Sequence, residues 1–122
     1  MTMVFAGIAA FIHYYIFALE SLLWNKPRTM KVFRMDAAKA KSNQLFAFNQ
    51  GFYNLFLAIG ATIGLVFLNG QYALVGKTLV IFTMSSMVGA SLVLFYSEPK
   101  LIKPAVIQGV PPFIALICLF FI

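Results

Sequence analysis

The chain has 122 residues, 62% of them hydrophobic and only 10% charged, with nine Lys or Arg against three Asp or Glu. A soluble domain carries about 25% charged residues, so this composition excludes a water-facing surface and puts most of the chain inside a bilayer as one transmembrane domain. The net charge of +6 would suggest nucleic acid in a soluble protein, but six of the nine basic residues lie between Lys26 and Lys41. That clustering marks a loop beside a membrane, and no nucleic-acid partner is expected.

Four apolar segments follow one another, over about 3–24, 44–68, 72–96 and 104–122. Each is close to the ~20 residues that carry a helix across a hydrocarbon core about 30 Å thick. The fold class expected is all-α, an integral membrane four-helix bundle with short loops. Alternating ten-residue strands, which a β-barrel would need, are absent. The first segment has no basic residues before it and ends on bulky Leu22, Leu23 and Trp24, so it reads as a retained span and not a cleaved signal. Asn25-Lys26-Pro27-Arg28 closes it, since Pro27 cannot continue an ordinary helix. Over 29–41, Met30, Phe33 and Ala37 share a face, which fits either a short amphipathic helix on the membrane surface or a solvated basic loop.

Asn69-Gly70-Gln71 forms a polar turn after the second segment, and Ser97-Glu98-Pro99-Lys100 closes the third. Lys and Arg gather in the first and third connections, whereas Lys77 alone lies on the other side. Both termini are therefore expected outside the cytoplasm. Small residues, namely Gly60 and Gly64 in the second span and Gly89 in the third, predict close helix contacts, either within the chain or in a homo-oligomer. Cys118 has no partner cysteine and reads as apolar filler. The Pro111-Pro112 pair is expected to bend the last helix.

Glu20 is the only acidic residue inside any of these segments, and it shares the first with the only histidine, His13. A charge at a span's centre costs roughly 2.5–3.5 kcal/mol on insertion scales, so such groups usually face a bundle interior or a cavity. At 100° per residue, Ala6, Ala9, His13, Phe17, Glu20 and Trp24 form one stripe. Asn43, Ala47, Gln50, Tyr53, Asn54, Leu57 and Ala61 form another on the second helix, with Asn49 to one side. Thr78, Ser85, Gly89 and Tyr96 share a face of the third, and Gln108 sits near the start of the fourth. With Glu20 about 10 Å below His13 at 1.5 Å per residue, these polar groups would meet in one half of the bilayer. The expected pocket, open to the cytoplasm, comprises His13, Glu20, Trp24, Asn49, Gln50, Tyr53, Asn54 and Gln108. The plainer reading is that these side chains only tie helices together, with couplings averaging about 0.6 kcal/mol. No metal-ligand cluster, phosphate loop or catalytic triad is present, and no cofactor is expected.

The strings from His13 to Trp24 (HYYIFALESLLW) and from Asn49 to Ala58 (NQGFYNLFLA) resemble the two hallmark stretches of a bacterial membrane-protein family, domain of unknown function 1304. The resemblance extends over the whole chain. It implies a four-helix, multi-pass inner-membrane protein, singles out His13, Glu20, Trp24, Asn49, Gln50, Gly51, Tyr53 and Asn54, and leaves activity open. Three functions remain in view. One is a binder or carrier of a small molecule, similar in plan to small multidrug transporters but without their third-helix signature, and with Glu20 displaced toward the cytoplasm. A second is a membrane enzyme acting on a lipid-like substrate, with Glu20 and His13 or Tyr53 moving a proton. The third is an interaction or assembly protein whose polar residues only glue helices; under every reading the lipid bilayer is an expected partner and a homo-oligomer is open.

Overall fold

A computed structural model describes residues 1–121. The predicted span 104–122 therefore ends, at Ile122, outside the described residues. Helix α1 (Thr2–Phe17) runs without a break into a π-helical turn, Ala18–Leu22. Leu23 ends it, and its carbonyl accepts from the Lys26 amide at 3.1 Å and from Thr29 Oγ1 at 2.6 Å. Pro27 then opens the short helix α2 (Pro27–Val32) from its first position, where its missing N–H is of no consequence. Arg34 turns the chain out of α2 with a φ of +52°, and the Met35 amide closes back on the Met30 carbonyl at 3.0 Å.

Asp36 caps α3 (Ala37–Phe67) by accepting from the Lys39 amide at 2.8 Å. This corrects the sequence reading of the first connection. Only residues 27–32 form a separate short helix, Arg34 lies in the turn after it, and Lys39 and Lys41 belong to the first turns of the second span. At 31 residues, α3 is about 46 Å long, so roughly three turns extend past a 30 Å apolar core. Helix α4 (Ala73–Ser97) follows, then a 3₁₀ turn (Pro99–Leu101) that leads directly into α5 (Ile102–Phe121). Pro111 and Pro112 lie inside α5, which continues through them.

The four long helices alternate in direction and form a ring in which α1 lies beside α3 and α5, and α4 lies beside the same two. All four are long and apolar enough to cross a membrane. Small residues fill the centre: Ala6, Ala9 and Ala10 of α1, Ala58 and Ala61 of α3, and Ala115 of α5, with Val80, Met84 and Met87 of α4. Large apolar side chains such as Phe11, Phe46, Leu74 and Phe121 point outward. That distribution reverses a soluble protein's and suits a bundle surrounded by lipid, where close helix approach replaces hydrophobic drive.

Gly60 and Gly64 face α4 within the chain. A Cβ at 60 would sit 3.0 Å from Thr83 Cγ2, and one at 64 would sit 3.0 Å from Leu79 Cβ. Both therefore pack in the α3–α4 seam, Gly64 buried and Gly60 half-buried. Gly89 alone of the three is exposed, with nothing within 4 Å. At the tight α3–α4 turn, a Cβ on Gly76 would come 2.5 Å from the Phe67 carbonyl carbon. Eight of the nine basic residues lie at the end away from the termini, and Arg34 donates there to the Lys100 carbonyl at 3.2 Å.

Candidate functional site

The π-helical turn sets the site. The Leu23 amide reaches the Ala18 carbonyl at 2.9 Å, one residue further back than in an α-helix, and Glu20 lies in the middle of the widened turn. Single π turns are frequent at functional positions. Here the turn presses against α3, whose inward face is Ala40, Ala47, Gly51, Asn54, Ala58 and Ala61. A Cβ on Gly51 would lie 3.1 Å from Glu20 Cβ and would collide with Ser21 Oγ. Only glycine permits that approach.

Three hydrogen bonds fix the contact. Asn54 Nδ2 donates to Glu20 Oε1 at 2.6 Å, Ser21 Oγ donates to the Phe48 carbonyl at 2.8 Å, and Trp24 Nε1 donates to the Ala40 carbonyl at 2.7 Å. The Trp24 ring also packs on Phe33 at a centroid distance of 5.3 Å. Glu20 is only 4% exposed. Its carboxyl accepts one hydrogen bond of the roughly four it can take. Glu20 also lines a cleft of about 710 Å³ between the end of α1 and the start of α3. Glu20 is the most buried of the residues lining it, and Ser21 and Trp24 are half-buried. Asn25, Lys26, Lys41 and Gln44 stand at its mouth, on the basic end of the bundle, and Leu22, Leu23, Leu45 and Phe48 form its apolar wall.

Of the eight residues expected to converge, three do. Glu20 and Asn54 are bonded, and Trp24 lines the same cleft. Asn49 is exposed and donates to its own helix, at the Leu45 carbonyl, 2.9 Å away. Gln50 is exposed too, and contributes only its backbone carbonyl, 3.3 Å from Asn54 Nδ2. Tyr53 is 70% exposed and lies in a separate apolar groove between α3 and α4, beside Phe82. Gln108 is half-buried on α5 and does not line the cleft.

His13 is fully buried higher in α1. Its Nδ1 donates to the Ala9 carbonyl at 2.9 Å, and its Nε2 is enclosed with no partner. The face of α4 carrying Thr78, Ser85, Gly89 and Tyr96 points outward, with Tyr96 88% exposed. The site is thus built by two helices, not four. Ser21, Lys26, Lys41 and Gln44 belong to the cleft and were not among the expected residues. The signal for the lysines was their place in the basic stretch that follows and precedes the two site helices.

These features define a class: a multi-pass four-helix bundle with one carboxyl held by an asparagine where two helices meet the basic end. A family model described as Protein of unknown function (DUF1304) matches residues 7–120, which takes in both hallmark strings, and the chain belongs to that family. No curated protein and no solved structure matches it.

Proposed function

We propose that the chain is a small-molecule-binding protein of the carrier type, in the bacterial inner membrane, with both termini outside the cytoplasm and the Glu20 cleft open to the cytoplasmic side. The single observation that carries this reading is a buried glutamate, bonded at one oxygen to Asn54, that lines a cleft of about 710 Å³. Clefts of roughly 300–1,000 Å³ with a few convergent polar groups and apolar walls are the usual form of small-molecule sites. An ionisable group within an apolar span is costly, and such groups usually face a cavity and mark a binding site. Its ligand is partly apolar, to suit Leu22, Leu45 and Phe48, and presents a hydrogen-bond donor or a positive charge to Glu20.

Beyond the cleft, the opposite half of the bundle is closed by alanines at 0–5% exposure, so carriage across the membrane requires that small-residue packing to reopen. The enzymatic alternative has less support, because neither His13 nor Tyr53 lines the cleft beside Glu20. The assembly alternative treats Glu20–Asn54 as a helix tie and nothing more.

Glu20→Gln, which keeps the shape and an acceptor for Asn54, separates these readings. The variant is expected to keep its melting temperature and size in detergent. It is also expected to lose about tenfold in affinity for ethidium, a partly apolar cation, together with ethidium uptake by proteoliposomes under a proton gradient. A variant that binds and transports like wild type, or one that merely falls apart in detergent, contradicts the proposal.

A further inference from the structure

The mouth of the cleft carries chemistry that a bare cation would not need. Lys26 and Lys41 stand there, both exposed, and the two other acidic residues of the chain, Asp36 and Glu98, do not line the cleft. Glu20 is the one buried residue among those that line the cleft. Two cations at the entrance weaken, without abolishing, the hold on a simple cationic ligand, and the Glu20 carboxylate does the same to an anionic one. A molecule with its positive group leading and its negative group one step behind satisfies both. The wall supplies the third requirement, since Leu22, Leu45 and Phe48 line the cleft and are themselves exposed on the outer surface of the bundle, where lipid lies.

We propose that the ligand of the Glu20 cleft is a zwitterionic amphiphile with a primary ammonium, a phosphodiester and a hydrocarbon chain, the chemistry of an aminophospholipid. The ammonium enters first and donates to one oxygen of Glu20, while Asn54 holds the other. The phosphodiester stays at the mouth between Lys26 and Lys41. The chain leaves sideways over Leu22, Leu45 and Phe48 into the surrounding lipid. A trimethylated ammonium has no N–H to donate and fits less well. This inference rests on the cleft being a binding site, as proposed above.

Trp24, the only tryptophan, lines the cleft and reports on its occupancy by fluorescence. The full chain in detergent is titrated with lauroyl-lysophosphatidylethanolamine, its phosphatidylcholine and phosphatidylglycerol counterparts, dodecylammonium and chainless glycerophosphoethanolamine. The lysophosphatidylethanolamine is expected to bind about tenfold more tightly than any of the others. Lys26→Gln/Lys41→Gln, at two exposed positions that leave the fold alone, is expected to remove that advantage while dodecylammonium binding holds or strengthens.

Equal binding of the choline lipid or of dodecylammonium, or no effect of the lysine changes, overturns the zwitterion. If dodecylammonium binding is still lost in Glu20→Gln, the cleft remains a binding site for cations. Equal competition by glycerophosphoethanolamine overturns the hydrocarbon requirement. No Trp24 response to any probe sinks this inference and the reading beneath it together.

Discussion

At Glu20 and Asn54, two side chains 34 residues apart meet at 2.6 Å across a helix seam, and neither has an alternative partner of comparable quality. Removing the amide leaves a buried carboxyl without its donor, which costs about 1–3 kcal/mol, whereas an exposed asparagine bonded to its own helix is worth little. Asn54→Ala is therefore expected to lower the melting temperature in detergent, followed by circular dichroism, and Asn49→Ala to leave it nearly unchanged. Equal effects of the two substitutions would place the polar seam elsewhere. His13 differs in kind. It is enclosed, its Nδ1 bonded to the preceding turn and its Nε2 to nothing, so it belongs to the core of α1 and not to the cleft.

The junction of the π turn with α3 is the element on which the site depends, and Gly51 is what lets the two backbones touch. Gly51→Ala puts a methyl into Ser21 Oγ and against Glu20 Cβ, and overpacking of this kind costs about 1–3 kcal/mol. We expect it to destabilise the chain and weaken ligand binding together, while Gly89→Ala, at an open surface position, changes neither. Thermal melts and Trp24 titrations of the two variants are the check.

The four spans were legible because apolar length alone specifies them, and Glu20 and Asn54 because a polar group in such a span stands out. The rotation of α3 was not legible from its polar residues. Gln50 and Tyr53 look like inward markers, yet in lipid the small residues Ala47, Gly51, Ala58 and Ala61 mark the seam. Asn49 meanwhile satisfies itself on its own backbone, as asparagine does in helices. The π turn has no sequence signature, since it differs from α-helix by one residue of hydrogen-bond register. The early start of α3 had one, in the capping side chain of Asp36, which the run of basic charge obscured.

For the molecule as a whole, the ring of four antiparallel helices puts the cleft and eight of nine basic residues at one end, and the termini with the Gly70 turn at the other. The orientation this implies is testable in intact cells on a Cys118→Ala background, because Cys118 is the only native cysteine. Gln71→Cys is expected to react with a membrane-impermeant maleimide from outside, and Arg28→Cys only after the cells are opened. The reverse pattern would turn the cleft to the outside.

The central claim is that a molecule sits against Glu20. A structure of the chain taken from the membrane in native lipid discs tests this most directly. Density is expected in the cleft within about 3 Å of one Glu20 oxygen, with Asn54 on the other. A Glu20 side chain turned toward the acyl chains, or a cleft closed by its own Trp24 and Phe48 with nothing against the carboxyl, would contradict the claim.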